Sequence, residues 1–440
     1  GIAKYWCIAT PGALINSTVP GDGYGVKSGT SMSAPHATGA LALVMERYPY
    51  LNNQQALEVL LTTSTQLDGS ITDTPTTRVG WGVPDLDRAM KGPGQLLGTF
   101  DVQLAPGQQD VWSNNLSDTA LAARQKEDAA EHQAWQQTLI DKGWTHGLAS
   151  NASQQEHTDY AIGMARDAAG AQREYQGSLI KSGAGSLTLN GTNTYRGATT
   201  VNGGRLNVNG SLASRVTVNN SGSLGGTGRV GGLIANAGAT VAPGNSIGTL
   251  QVDGNVTFEQ GSTYAVELST AHSDRLLVSG ATVLNGGVVT LALENNPDVL
   301  TQPQVRSMLG RQYQILQAAG GVQGQFASVV PNYLFIGASL DYSATAVQLD
   351  IERNATPFAH VAATPNQRAV AMASEQLGAG NAVYESVLSA PSIAVAQSAF
   401  QQLSGEIYPA LGTMLINDSR QLRDAVGERL NPAGTRNAPP

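Results

Sequence analysis

The chain has 440 residues, including 51 glycines, one cysteine and only 5% aromatic residues, and its net charge is −8. This length allows two or three domains, and many glycines with few aromatics favour a turn-dense, repetitive architecture over one ordinary globular core. The negative charge argues against nucleic-acid binding. The lone Cys7 excludes disulfides within the chain and cysteine-rich metal sites, and no apolar run of about eighteen residues predicts a transmembrane helix.

Residues 1–96 alternate strand-like, turn and helical segments, as at the trailing edge of an α/β sheet. A strand-like run at 5–9 precedes a turn at Pro11 and Gly12, and Pro49 ends a first helix. Asn52 or Asn53 then caps a second helix, which carries leucines on one face. We expect this region to have an incomplete core and low stability if it is expressed alone.

The most informative stretch is residues 29–35, Gly-Thr-Ser-Met-Ser-Ala-Pro, at the start of the first helix. Pro35 suits the first turn of a helix, and the following small and apolar residues predict a helix that is buried on all sides. Ser31 would lie at its positive end, where free N–H groups could stabilise an oxyanion. The alternative is that Thr30 and Ser31 only cap a structural helix.

This stretch resembles the active-site serine segment of subtilisin-like proteases, whose pattern is G-T-S-M-[AS]-x-P. The Pro11–Gly12 turn, the segment 17–25 and the Gly82 segment are similar to flanking parts of the same domain. The resemblance implies that Ser31 is the catalytic nucleophile and that Gly29 and Thr30 belong to its active-site loop. It implies no cofactor or metal at this site, and calcium, common in the family, can be placed on no residue.

The family's catalytic Asp and His and its oxyanion-hole Asn precede the serine, but only 30 residues precede Ser31. We therefore expect an internal piece of a longer protein, inactive alone because it lacks these partners. His36 is expected to pack on the serine helix. The remaining histidines carry no catalytic motif: His132, His146, His157, His272 and His360.

Residues 97–177 predict a helical connector. Ser117 and Asp118 form a helix start, and 118–142 is rich in Ala, Gln, Glu and Lys. A second, weakly patterned polar segment covers about 154–176. The charged residues of the first helix are expected to form a solvated face: Arg124, Lys126, Glu127, Asp128 and Glu131.

Residues 178–352 repeat short alternating strands separated by Gly/Asn turns. Each strand is too short to bury its own apolar face, so the units must stack, which predicts a parallel β-helix. The alternatives are a generic solenoid or an antiparallel sandwich. The predicted strands include 215–218, 249–252, 255–258, 264–268, 275–278 and 288–293.

The pattern from Lys181 to Gly210 resembles the passenger-associated strand repeat of autotransporters, and 242–250 is similar to their P-G-N-S-I-G-T-L turn. The stretch 333–351 is similar to the last passenger rungs, which assist folding after export. The resemblance implies a β-helix that holds the protease away from the membrane.

Residues 353–440 predict helices again, starting at Thr364 and Pro365. Pro409 should kink the last helix or mark a boundary between two. By resemblance, 403–408 belongs to a linker toward a β-barrel translocator whose strands do not follow here. One apolar stripe is formed by Leu403, Ile407, Leu411, Leu415, Leu422, Val426 and Leu430.

The predicted fold class is mixed and multidomain: a C-terminal piece of a subtilisin-like α/β domain, a helical connector, a parallel β-helix and a helical linker. The resemblances imply a serine endopeptidase acting on protein or peptide substrates, with its own barrel and the outer membrane as partners. They imply a location at the surface of a Gram-negative bacterium or in its medium. The alternative function is a non-catalytic β-helical adhesin or scaffold with a protease remnant.

Overall fold

The computed structural model describes residues 2–294, 301–330 and 334–430. They belong to two compact units, one drawn from 1–291, 313–329 and 340–348 and the other from 292–312, 330–339 and 349–440. The first unit begins with a 3-10 helix (Ile2–Trp6). An antiparallel hairpin and three helices follow: β1 (Ile15–Val19), β2 (Gly23–Lys27), α1 (Thr30–Arg47), α2 (Asn53–Thr62) and α3 (Leu86–Ala89).

The strand predicted at residues 5–9 is wrong. Its polar backbone groups pair with the loop around Trp81 instead of with a neighbouring strand: Trp81 donates its indole N–H to Tyr5 O (2.9 Å) and its backbone N–H to Cys7 O (2.8 Å). Gly80 makes this close approach feasible, because a Cβ there would lie 2.1 Å from Cys7 O. A tertiary contact therefore overrides the local strand preference.

Helix α1 departs from prediction in two ways. It begins at Thr30, so Pro35 lies inside the helix and not in its first turn. It is also not buried on all sides, although α2 and α3 pack against it. Within the described residues Ala40 and Val44 are its buried side chains, whereas Leu43 and Met45 are 48% and 43% exposed.

Helix α2 is confirmed, and the choice of cap is resolved in favour of Asn52. The Asn52 side chain accepts from Gln55 N (2.9 Å), and the Gln55 side chain accepts from Asn52 N (3.0 Å). This reciprocal pair is a capping box. Leu60 and Leu61 are buried, so the predicted apolar face packs inward.

A wholly helical connector over 97–177 is wrong for its first part. Two strands, β3 (Thr99–Gln103) and β4 (Gln109–Trp112), pair in parallel with later strands and form the first rung of the β-helix. Helices α4 (Thr119–Asp141) and α5 (Gln154–Ala171) follow, close to the predicted bounds. We call residues 113–177 the helical excursion, because the chain returns from them to the next rung.

The solvated charged face predicted for α4 is only partly right. Lys126 and Glu131 are exposed, but Arg124 and Asp128 are 5% and 8% exposed and pair with each other. Arg173 and Tyr175 also donate to Asp128. Sequence spacing could not reveal these partners, which come from a distant part of the chain.

The β-helix continues in chain order after α5. Its strands are β5 (Ser178–Ser182), β6 (Ser186–Leu189), β7 (Thr192–Asn193), β8 (Thr199–Val201), β9 (Gly204–Val208), β10 (Ser211–Val218), β11 (Gly222–Gly226), β12 (Arg229–Ala235), β13 (Thr240–Pro243), β14 (Thr249–Val252), β15 (Val256–Phe258), β16 (Thr263–Leu268), β17 (Arg275–Val278), β18 (Thr282–Asn285), β19 (Val288–Leu293), β20 (Gln312–Ala318), β21 (Val322–Gln325), β22 (Ser328–Val330), β23 (Ile336–Tyr342) and β24 (Ala346–Arg353).

The strand pairs with a described register from β3 to β21 are parallel, which confirms the β-helix and rejects the antiparallel sandwich. Buried positions alternate with partly exposed ones, so every second side chain points inward. The stretch predicted as the last rungs, 333–351, begins at a residue outside the described ranges.

The interior consists of columns in which equivalent residues of successive rungs stack. One column is fully buried and runs through Leu187, Leu206, Leu224, Val241 and Tyr264. Full burial of each such side chain contributes about 1.5–3 kcal/mol. Stacking therefore supplies the core that no single rung has.

A second column contains Lys181 between Val102 and Val201. The Lys181 ammonium donates to the carbonyls of Ser182 (2.8 Å), Gly183 (3.0 Å) and Gly203 (3.1 Å). Burial lowers the pKa of Lys181 to about 8. The three carbonyls satisfy a charge that would otherwise be very costly in this core.

The second unit is largely helical: α6 (Gln302–Met308), a 3-10 helix (Phe358–Val361), α7 (Pro365–Gln376), α8 (Ala382–Leu388), α9 (Ile393–Leu403) and α10 (Ile407–Leu430). The start at Thr364 is confirmed, since its side chain caps Gln367 N. The predicted boundary lies at 404–406, just before Pro409, which falls in the first turn of α10. No described side chain of α10 is buried, so its apolar stripe is exposed.

Candidate active site

The site is built on the turn that starts α1. Gly29 is its N-cap residue, with φ of +149°, a conformation that favours glycine. Its carbonyl accepts from Met32 N (3.1 Å) and Ser33 N (3.3 Å), which closes the first turn. No side chain among the described residues caps this end, so the structure does not support the alternative in which Thr30 or Ser31 caps the helix.

Thr30 and Ser31 occupy the first two positions of α1, and Ser31 is exposed. The N–H groups of Thr30 and Ser31 precede the first intrahelical donor, Met32 N, and the helix dipole makes this end positive. An oxyanion formed beside Ser31 would therefore meet free donors and a favourable field.

The loop before the hairpin fixes this turn from outside. Thr10 Oγ1 donates to Ser33 O (2.7 Å), and Ser33 Oγ donates to Thr10 O (2.9 Å). Gly29 N donates to Gly12 O (2.7 Å), and a Cβ on Gly12 would lie 2.9 Å from Gly29 O. The Pro11–Gly12 turn and the segment that contains Ser33 are evident from the sequence, but the pairing of Thr10 with Ser33 is not, because it joins residues that are distant in the chain.

Ser31 borders a cleft of about 430 Å³ between the β1–β2 hairpin and the start of α1. Its other lining residues are Ile15, Asn16, Ser17, Thr18, Val19, Pro20, Gly25, Lys27, Met32, Pro35 and His36. The cleft is open to solvent and could admit an extended peptide beside the Ser31 hydroxyl.

The described residues give Ser31 no general base. His36, expected to pack, is instead exposed, and its Nδ1 lies 2.8 Å from Met32 O. His132 pairs with Asp167 (2.6 Å), but this exposed pair lies on the helical excursion. No hydrogen bond joins Ser31 to a histidine or carboxylate in the described part of the chain, and no cluster there could hold a metal ion.

The far end of α1 is anchored on the first rung. Arg47 donates to both oxygens of Asp110 (3.0 and 2.6 Å), and Tyr50 donates to the same carboxylate. Trp112 in turn donates to the Tyr50 hydroxyl (3.2 Å). Burial and the hydrogen bond to Asp110 raise the pKa of Tyr50. No motif or spacing in the sequence indicates this network, which joins residues about 60 positions apart.

The turn 242–250 of the β-helix is held by charged groups from other rungs. Arg205 donates to Ala242 O (3.2 Å) and Gly244 O (3.1 Å), and Gly248 N donates to Asp274 (2.8 Å). Asp274 also accepts from Glu267 N (2.8 Å) and is 1% exposed. Burial raises its pKa to about 7.

Both the region around Ser31 and the β-helix are similar to known protein families. Residues 2–82 match the subtilase family, and 179–208 match the passenger-associated-transport-repeat. The chain carries a subtilase segment joined to an autotransporter passenger. Both resemblances drawn from the motifs, and the mixed fold class, are thereby confirmed. We call residues 2–82 the subtilase segment.

Two relatives are extracellular serine proteases of Serratia marcescens. One is 33% identical over 98% of this chain and 45% of the relative, and the other is 31% identical over 94% of this chain and 41% of the relative. The Neisserial autotransporter lipoprotein NalP of Neisseria meningitidis serogroup B is 27% identical over 65% of this chain and 21% of its own length. The chain thus spans less than half the length of these curated relatives. None of the described helices is long and apolar enough to cross a membrane.

Proposed function

We propose that this chain carries the nucleophile of a subtilisin-type serine endopeptidase within an autotransporter passenger, and that Ser31 is that nucleophile. The observation that carries the proposal is the exposed Ser31 hydroxyl at the second position of α1, bordering an open cleft. The subtilase match over 2–82 and the serine protease relatives support it.

In this mechanism Ser31 Oγ attacks the carbonyl carbon of a peptide, and its proton passes to a general base. The N–H groups of Thr30 and Ser31, at the start of α1, stabilise the oxyanion. Collapse of the intermediate breaks the C–N bond, the base returns the proton to the leaving amine, and water later hydrolyses the acyl-enzyme.

We propose further that this stretch alone does not hydrolyse peptides, because a serine hydroxyl is a poor nucleophile without an oriented base. The described residues offer Ser31 no such base. The substrates would be proteins or peptides, and the partners would be a β-barrel translocator and the outer membrane. The location would be the cell surface or the medium, as the names of the relatives suggest. No cofactor is part of the proposal.

The test is labelling by a fluorophosphonate probe of the chain in its natural full-length context. Wild-type protein should be labelled and Ser31→Ala should not, because the probe phosphonylates an activated serine. Ser17→Ala is the matched control, since Ser17 borders the same cleft. Labelling that persists in Ser31→Ala would contradict the assignment, and unlabelled wild-type protein would favour the adhesin or scaffold alternative.

A further inference from the structure

The helical excursion does more than connect two rungs, because its first helix packs on the subtilase segment. Ala120, in the first turn of α4, is fully buried in one cluster with Leu61 and Trp81. Ala120 N donates to Gln95 Oε1 (2.8 Å). The start of α4 is thus part of the core beneath the subtilase segment.

Two turns further along, α4 contacts the beginning of that segment through charged groups. Lys4 Nζ donates to Glu127 Oε1 (2.5 Å), with the Lys4 side chain 15% and the Glu127 side chain 36% exposed. The Arg124 guanidinium lies 5.3 Å from the centre of the Tyr5 ring. Burial, reinforced by the Glu127 charge, raises the pKa of Tyr5 to about 12.

Arg124 is itself held in place from within the excursion. It pairs with Asp128, which also accepts from Arg173 and from Tyr175 (2.8 Å). Burial opposes ionisation of Asp128, but the hydrogen bonds from Arg124, Tyr175 and Arg173 lower its pKa overall. The surface that α4 presents to Lys4 and Tyr5 is therefore a fixed charge array.

A short series of hydrogen bonds links Tyr5 to the turn that bears Ser31. Trp81 Nε1 donates to Tyr5 O (2.9 Å), and Ala9 N donates to Gly82 O (2.7 Å). The next residue, Thr10, exchanges two hydrogen bonds with Ser33, in the same helical turn as Ser31. Displacement of residues 4–9 would therefore shift the loop that fixes this turn.

We propose that α4 is an intramolecular brace for the active-site serine, with Glu127 and Lys4 as positioning residues that act through Thr10 and Ser33. The helix α4, which belongs to the passenger, then helps to fix the position of the Ser31 hydroxyl. This inference rests on the proposed function of Ser31. A displaced hydroxyl lowers the rate of acylation more than it weakens substrate binding.

The test uses Lys4→Met, Glu127→Gln and the double variant, in the natural full-length context. The partly exposed pair can be neutralised without unfolding the core, and kcat should fall about two- to fivefold with KM unchanged. The double variant should lose less than the sum of the two single variants, because both remove the Lys4–Glu127 pair. Glu127→Gln also weakens the contact of Glu127 with Arg124 (3.7 Å), so it should show the larger single loss. Lys126→Gln, an exposed charge on the same helix, is the matched control and should match wild type.

Active sites are counted with the fluorophosphonate probe, so that kcat refers only to folded, competent molecules. If the loss in the variants disappears after this correction, the pair is only structural and the inference is overturned. Additive losses in the double variant also overturn it. Labelled wild type with unchanged variants refutes the brace alone, whereas unlabelled wild type refutes the proposed function and the brace with it.

Discussion

The β-helix and the subtilase segment differ in how far their apolar side chains are buried. In the β-helix, Leu206, Leu224 and Val241 stack in one column and are fully buried. In the subtilase segment, Tyr24, Val26 and Leu43 are 75%, 60% and 48% exposed. Each strand of the β-helix pairs with a strand of the next rung, some twenty residues away in the chain. The subtilase segment depends instead on contacts between residues that are more distant in the chain. The comparison suggests that stability is concentrated in the β-helix.

The largest loss of stability should come from removing a side chain from a buried column of the β-helix. Leu224→Ala removes a fully buried side chain between two neighbours of the column, and we expect a loss of about 2–5 kcal/mol in the free energy of unfolding. Leu43→Ala, at a half-exposed position of α1, should cost no more than about 0.5 kcal/mol. Urea unfolding followed by far-ultraviolet circular dichroism, which reports on the strands as well as the helices, measures both. Equal losses would contradict the contrast between the two regions.

A pH dependence should reveal the buried Asp274 of the β-helix. Its pKa is raised from 3.8 to about 7 in the folded chain, so the folded state keeps a proton that the unfolded state releases. Stabilisation from this group is complete below about pH 4 and is lost as the pH rises to about 7, amounting to about 2–4 kcal/mol. Asp274→Asn should remove this part of the slope when urea unfolding is repeated between pH 4 and 7. An unchanged slope would assign the dependence to other groups.

A smaller effect should come from the junction of the two regions. Asp110→Ala leaves Arg47 and Tyr50 without their shared acceptor and should cost about 2 kcal/mol. Asp87→Ala breaks the exposed Lys91 pair and should cost about 0.5 kcal/mol or less. Both are measured by urea unfolding. If Asp110→Ala behaves like the control, the first rung does not support α1.

Structural elements that depend on contacts between neighbouring residues can be predicted from the sequence, whereas those that depend on contacts between distant residues cannot. Strands at 249–252 and 275–278 were predicted at their observed bounds, because period-2 burial and glycine turns repeat locally. The strand expected at 5–9 failed, because the indole of Trp81 sets the local backbone. At the candidate site, the motif located Ser31 at a helix start. The Thr10–Ser33 and Arg47–Asp110 pairs could not be predicted, since no spacing rule links residues 23 and 63 positions apart.

Helix α1 has 18 residues, so Ser31 and Arg47 lie near opposite ends of a helix about 27 Å long. The helix is anchored at its C-terminal end, where Arg47 binds the Asp110 carboxylate. A tilt of about 2° at that end would move the hydroxyl by about 1 Å, a misplacement that can cost about a hundredfold in rate. With Ser31 in its proposed role, substitutions on the β-helix near Asp110, remote from the cleft, would change the rate of peptide hydrolysis.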